Sequence, residues 1–443
     1  MRSTNSDDHA PRVVLFTPLG LNLAEVTRMI EVARALTELE PAAPSAGPSS
    51  PGPSTTAPPA HRPLHPVFLV HDEGFDHLVD QAGFDRIPGA RSFTPEQSRQ
   101  LMAFDQGRTL RQPFTGQVAA ERVRAERAAI RQLGAVAVVH GTNPTSPLSA
   151  RAERVPLFYP VPYVFSAAHL AAGRGIPLLP ERGLGAVVNR ALRRPAAWVM
   201  ASAPLVPPSF RQVARENGVR VRSLMDLLGA DVTLLTSMAE EVGTDPLPAG
   251  SHRVGPIFAR LDGEVPPLVR ELAGGEQPLV YLACGSSGNQ RLVLDAMRAL
   301  GEAPVQVIAP VRQYLDATQI ASTPPNVHVT ELLPAHLLGG LVDAAVLHGG
   351  QGTVQTACAT AVPFVGMGLS AEQRWNVDVW ARRGNAIALA PSDLRGDAAR
   401  FHRALRRLLT DPAIRREADA VAAEHRHEHG ARRSAEIIRD HVG

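Results

Sequence analysis

The sequence predicts an α/β protein built as two parallel-sheet domains that face each other across a cleft. Three observations carry that reading. At 443 residues the chain is longer than one hydrophobic core usually supports. Short apolar runs alternate with amphipathic stretches in two successive series, the pattern of βα units and therefore of parallel sheets. In the second series two glycine-containing turns follow directly on apolar runs, where open α/β sheets bind their ligands.

The first series occupies residues 11–258, after a polar stretch, 1–10, expected to be disordered. It opens with a strand over Arg12 to Thr17, whose Val-Val-Leu-Phe run has the continuity of a buried parallel strand. A helix follows from about Glu25 to Leu39, because Val26, Met29, Ile30, Ala33 and Leu36 form one apolar stripe at helical spacing. This strand and helix are the opening unit of a Rossmann-like domain. Residues 41–63 are rich in Pro, Ser and Ala, cannot bury a core, and read as a flexible insertion. Further strands are expected at Val67 to Val70, Val136 to His140, Pro156 to Tyr159 and Val232 to Leu235, with a helix over Gln117 to Leu133. Between Val161 and Pro208 the sequence lacks clean periodicity, and irregular helices shaping a binding cleft are expected.

A linker at 259–277 leads into the second domain, 278–415. Its expected strands are Leu279 to Ala283, Val305 to Ala309, Val327 to Val329, Ala344 to Leu347, Phe364 to Gly366 and Ala386 to Leu389. Helices are expected from about Asn289 to Leu300, Thr353 to Ala361 and Glu372 to Arg382. The final stretch, 416–443, reads as a C-terminal helix that packs back on the first domain.

Composition narrows the function classes. Apolar residues make up 44%, and no uninterrupted apolar run approaches a membrane span. The first residues lack the apolar core of a signal peptide, so a cytoplasmic protein is expected. The net charge is +2 and every basic residue is arginine, with no tract long enough to track a nucleic acid. Arg190 to Arg194 and Arg415-Arg416 read as helix caps or solvated faces. The absence of lysine excludes pyridoxal-phosphate lysine chemistry and a Walker A motif, and no Gly-x-Ser-x-Gly elbow is present. Cys284 and Cys358 lack metal-ligand spacing and read as buried apolar residues of a reduced protein. The run His425-Arg426-His427-Glu428-His429 reads as the solvated face of a charged helix, and no metal is expected.

One segment carries most of the chemistry. After the strand Ala344 to Leu347 comes His348-Gly349-Gly350-Gln351-Gly352-Thr353, a turn into a helix. Glycines let the backbone turn tightly and approach a ligand, and a helix N-terminus offers unpaired N–H groups and a positive dipole end to phosphate oxygens. His348 and Thr353 add side-chain donors, and Gly350 and Gly352 lie on the turn itself. Read alone, the same residues also describe an ordinary glycine-rich βα turn with a core histidine. Downstream, Glu372 and Gln373 offer a carboxylate and an amide able to hold sugar hydroxyls, although a glutamate at a helix start is also satisfied by the dipole.

The stretch HGGQGTVQTACATAVPFVGMGLSAEQRWN resembles the signature of the UDP-glycosyltransferase and antibiotic-glycosyltransferase superfamily, which use nucleotide sugars and have the GT-B fold. Gly352-Thr353, Ala361-Val362-Pro363, Glu372-Gln373 and Asn376 fall at matching positions. The resemblance implies a phosphate contact at the turn Gly285-Ser286-Ser287 and a grip on the sugar hydroxyls by Glu372 and Gln373. It extends more weakly over most of the chain.

Three departures stand out. The family's frequent Trp-x-Pro-Gln, whose Trp stacks on the base, is Leu332-Leu333-Pro334-Ala335 here, so stacking must come from elsewhere or be replaced by apolar contact, with Leu333 in the donor set. The glutamate that often binds the ribose diol is Thr356, which suits a thymidine diphosphate donor and also admits a ribose. The family's catalytic histidine aligns with Glu25, within Ala24-Glu25-Val26-Thr27-Arg28. Glu25 could act as the general base if burial raises its pKa, or it could merely cap or charge the first helical turn. An amine acceptor, or one carrying its own base, is a third reading. His140 is a second candidate base and Asp105 a candidate orienting carboxylate.

The resemblance therefore implies an inverting, metal-independent glycosyltransferase moving a sugar from a dTDP or UDP donor to a small acceptor, such as an antibiotic-type secondary metabolite. No cofactor is expected beyond the co-substrate. Expected partners are the donor and the acceptor, with no nucleic acid and no membrane span, and homodimerisation is left open. The alternatives are a binding or auxiliary protein on the same scaffold, or a sugar-nucleotide epimerase or hydrolase.

Overall fold

The computed structural model describes residues 12–39, 63–71, 73–105, 109, 111–174, 184–260, 263–285 and 288–443. The N-terminal stretch 1–10 and, but for residue 63, the insertion 41–63 lie outside the described residues, as do Ser286 and Ser287.

Seven parallel strands form the first sheet: β1 (Arg12–Thr17), β2 (Leu64–Val70), β3 (Asp85–Pro88), β4 (Ala137–His140), β5 (Leu157–Val161), β6 (Val232–Leu235) and β7 (Ser251–Arg253). Their order is β3-β2-β1-β4-β5-β6-β7. Six parallel strands form the second: β8 (Leu279–Ala283), β9 (Gln306–Ala309), β10 (Val327–Val329), β11 (Ala344–Leu347), β12 (Phe364–Gly366) and β13 (Ala386–Ala388), in the order β10-β9-β8-β11-β12-β13. Strand order reverses between β1 and β4 in the first sheet and between β8 and β11 in the second. In open α/β sheets the crevice beyond the carboxyl ends at such a reversal is where ligands bind.

Each sheet is sandwiched by helices around its own core. In the first domain, Val14, Phe16, Phe68 and Val139 pack with Val26, Met29 and Ile30 of the helix Leu23–Glu38. The C-terminal helix, Gly430–Val442, adds Ala435, Ile438 and Val442 to this cluster. The stretch read as one C-terminal helix is two, Pro412–His425 and Gly430–Val442. They break where Gly430 abuts the carbonyl oxygens of Gly255 and Pro256, an approach with no room for a side chain.

Two short strands escaped the reading. Strand β3 is a polar edge, and β7 is three residues long with little burial, so neither carries the apolar run of an inner strand. Within the stretch read as irregular, residues Leu184–Ser202 form one long helix. Its apolar residues repeat at helical spacing but face outward, contrary to the usual polarity.

Candidate functional site

The site halves lie at the two strand reversals. In the second domain, β11 ends at Leu347, and the nine-residue helix Gln351–Ala359 begins three residues after His348, with Gly350 as its N-cap. No side chain caps that helix among the described residues, so its first-turn N–H groups face the crevice. Gly349 adopts φ 86°, and a Cβ there would lie 2.6 Å from the carbonyl oxygen of Gln373, so the turn requires glycine.

His348 is buried, with its ring between the two turns: a Cβ on either Gly285 or Gly350 would come 2.7 Å from its Cε1. Its Nδ1 lies 3.4 Å from the carbonyl oxygen of Ala283 at the end of β8. Burial lowers its pKa to about 4, so the ring is neutral at pH 7. The Gly285 turn is fixed from the other side by Tyr314, whose hydroxyl donates to Gly285 O at 2.6 Å and accepts from the Gly288 N–H at 3.1 Å.

The residues expected to hold the sugar come from the helix Ala371–Arg383. Asn376 is buried; its amide donates to Gly349 O at 3.0 Å and to the Glu372 carboxylate. One side chain thus ties the Gly349 turn to Glu372. Gln373 is placed otherwise than its motif suggests. It is buried, and its Oε1 accepts the Leu369 and Ser370 N–H groups in a capping box with Ser370. Thr353 and Thr356 donate their hydroxyl protons within their own helix, to Gly350 O at 2.9 Å and Gly352 O at 2.8 Å. Leu333 lies in the domain core, and it is Leu332 whose side chain is exposed at this turn.

In the first domain Glu25 sits at the mouth of the β1–β4 crevice. It is buried, with Oε1 accepting the Leu19 N–H at 2.7 Å and Oε2 accepting the Thr142 hydroxyl. It packs so close to Gly141 that a Cβ there would collide with the carboxylate. Asn22, and not Glu25, caps the helix, its side chain accepting from Ala24 N. Desolvation raises the Glu25 pKa, against the opposing hydrogen bonds and the charge of Arg28.

His140, at the end of β4, is buried and stacked on Tyr159 with ring centroids 4.2 Å apart. No side chain among the described residues reaches its ring nitrogens, and burial, aided by the charge of Arg151, lowers its pKa to about 3. Asp105 ends the helix Pro95–Asp105, and its side chain lies outside the described residues.

Three residues to which the motif reading gave no role join the two halves. Arg28, one turn beyond Glu25, donates to Gln351 Oε1 at 3.3 Å and to Pro160 O at 3.4 Å. Its charge interacts with Glu25, Tyr159 and Glu372. Gln351 in turn donates to Thr236 O at 3.1 Å and Ser237 Oγ at 3.0 Å, and Gln355 donates to Thr236 O and to Glu241. The helix Gln351–Ala359 is therefore pinned to the first domain along one face. Nothing in the local pattern marks these glutamines, since Gln351 and Ser237 are 114 positions apart.

The histidine-rich C-terminal run is not a solvated face at its first residue. His425 is buried between Glu240 at 2.9 Å and Glu428 at 3.1 Å. Glu240, Glu424 and His425 each offer a ligand atom within 4.8 Å of the others, but Arg383 already supplies a cation there, 2.6 Å from Glu424. Cys284 and Cys358 are buried and unpaired, with both thiol pKa values raised by burial.

Residues 293–440 match the family described as erythromycin biosynthesis protein CIII-like, C-terminal domain. The glycosyltransferase SnogD from Streptomyces nogalater superposes with a TM-score of 0.64 at 19% identity, covering 98% of this chain and 100% of that one. The chain has the GT-B fold. The glycosyltransferase VinC, determined in complex with dTDP, superposes on this GT-B chain with a TM-score of 0.64 at 18% identity, over 97% of this chain and 99% of VinC. The 4'-demethylrebeccamycin synthase of Lentzea aerocolonigenes is 33% identical over 293 residues, 61% of this chain and 63% of that protein. A PGL/p-HBAD biosynthesis glycosyltransferase of Mycobacterium tuberculosis is 29% identical over 189 residues, 40% of this chain, and the match spans 43% of that relative's length. No helix among the described residues is long and apolar enough to cross a membrane.

Proposed function

We propose that this chain is an inverting, metal-independent glycosyltransferase that moves a sugar from a nucleoside diphosphate to a hydroxyl of a small secondary metabolite. The observation that carries the reading is the Asn376 bridge, which holds Glu372 against the Gly349 turn. Diphosphate and sugar ligands are thereby fixed relative to each other, opposite Glu25 and Arg28 of the other domain.

In this reaction the acceptor oxygen attacks the anomeric carbon and its proton passes to Glu25. The bond to the diphosphate breaks with its electron pair on the departing oxygen. Uncapped N–H groups of the helix Gln351–Ala359 stabilise that charge, the task a divalent metal performs elsewhere. Glu25 suits the base role because burial raises its pKa and brings it nearer to neutrality. His140 suits it less, being neutral and buried with a pKa near 3.

A thymidine diphosphate donor fits best. Thr356 offers a single hydroxyl in place of a carboxylate, and the neighbour VinC was solved with dTDP. Leu332 provides an apolar surface for the base. The names of the relatives support a secondary-metabolite acceptor, including oleandomycin glycosyltransferase and 4'-demethylrebeccamycin synthase.

Calorimetric titration with dTDP and UDP, with and without EDTA, tests the donor half. Tight dTDP binding unaffected by EDTA is expected, and failure of both nucleotides to bind would refute it. Acceptor-dependent dTDP release from a panel of dTDP-sugars tests transfer; equal release without acceptor would mark a hydrolase.

A further inference from the structure

The helix Leu184–Ser202 carries its apolar face outward. At 3.6 residues per turn, Leu184, Val187, Ala191, Leu192, Trp198 and Val199 fall on one stripe. Asn189 and Ala197, on the opposite side, are the buried residues. Leu184 is 79% exposed, Val187 62% and Trp198 70%, and Leu205 just beyond the helix is 64% exposed. The stripe runs the length of a helix about 28 Å long. Soluble domains rarely leave so continuous an apolar surface uncovered.

The charge around the stripe identifies what covers it. Arg190 and Arg194 follow along one flank, and Arg193 lies further round, all three exposed. The sequence contains no Asp or Glu between Glu181 and Glu216, although acidic and basic residues are nearly balanced over the whole chain. An apolar face of Leu, Val and Trp beside acid-free arginines is the pattern of a helix lying in the plane of a bilayer interface. Tryptophan prefers that depth, and arginines beside it gain from anionic headgroups.

We propose that the helix Leu184–Ser202 is a docking surface for an anionic membrane, bound in the interfacial plane without spanning it. The occupant is the lipid surface and not a second protein, because an acid-free arginine flank complements anionic headgroups and would repel its own copy. Docking would hold the first domain where apolar acceptors concentrate.

Co-sedimentation of the full chain with vesicles tests this. Vesicles containing about a third phosphatidylglycerol are expected to bind it at least ~10-fold more strongly than pure phosphatidylcholine, with the difference shrinking at high salt. Trp198 emission should shift to the blue on binding and the shift should vanish in W198F; the other two tryptophans remain. The combined substitution Leu184→Ser, Val187→Ser and Trp198→Ser should lower partition at least ~10-fold, as should Arg190→Glu with Arg194→Glu. All these residues are exposed, and unchanged thermal melting shows that the variants fold. Equal binding to both vesicle types, or variants that partition like the wild type, would overturn the proposal. So would a dimer in sedimentation velocity that the serine variant abolishes while vesicles bind nothing.

Discussion

Gln351 donates a hydrogen bond to Ser237 at 3.0 Å, joining the first turn of the helix Gln351–Ala359 to the segment after β6 of the other domain. The same amide accepts from Arg28. Gln351→Ala should therefore destabilise the chain by about 1–2 kcal/mol, because the Arg28 donor and the carbonyl of Thr236 lose a buried partner. Nucleoside diphosphate affinity should fall with it, since the hydrogen bonds of Gln355 are then left to hold the helix against the first domain. Urea denaturation and calorimetry measure both, and an unchanged midpoint would show the bridge to be energetically idle.

Glu25→Gln keeps an acceptor for the Leu19 N–H but cannot take a proton. Turnover should fall by about 10²–10⁴-fold while the donor KM changes little. Unchanged turnover would exclude Glu25 as the base.

His348 is neutral at pH 7 because burial holds its pKa near 4. A diphosphate placed beside it favours the charged ring and raises that pKa. Binding should take up part of a proton, seen as a calorimetric enthalpy that differs between buffers of unlike ionisation heat. Affinity should rise as pH falls toward 5. The same titrations on His348→Gln isolate the ligand's own ionisation, and identical proton uptake in that variant would remove His348 from the linkage.

His425 titrates in the opposite sense. Burial alone would depress the imidazolium, but hydrogen bonds and charge from Glu240 and Glu428 outweigh it and raise the pKa to about 9. A folded pKa above the unfolded value means stability that is fully present below about pH 6.5 and lost as pH rises through about 9. The contribution is on the order of 3 kcal/mol at most. Thermal melting from pH 6 to 9.5 should show this decline in the wild type and a flatter profile in His425→Gln.

Arg122 is fully buried, pairs with Glu73 and lies 4.2 Å from the centroid of Phe93. Arg122→Met should cost about 3–5 kcal/mol by stranding the Glu73 carboxylate in the core. Adding Glu73→Gln should recover a large part of that loss. A single-variant penalty that the second substitution leaves untouched would assign the cost to packing instead.

Much of this architecture is legible in the residues. All six strands of the second sheet are readable because a strand covered by helices on both faces is a short apolar run, as in Ala344 to Leu347. The helix Leu184–Ser202 is hard to read because its apolar stripe points away from the core, so pattern and packing disagree. Gln373 and Leu333 show a second reason. A motif names a position, whereas the direction of the side chain depends on the cap or core that claims it.

The sequence by itself determined two parallel-sheet domains and a glycine-rich turn suited to a diphosphate, since both follow from local hydrophobic period and backbone freedom. Only the tertiary structure decided that Arg28 and Gln351 meet across the cleft, that Glu25 is locked between Leu19 and Thr142, and that Asn376 ties Glu372 to Gly349. Arg28 and Gln351 meet through the docking of two separate cores. Glu25 meets Thr142, and Asn376 meets Gly349, through the way each sheet brings its own turns together, at separations that no local pattern of residues encodes.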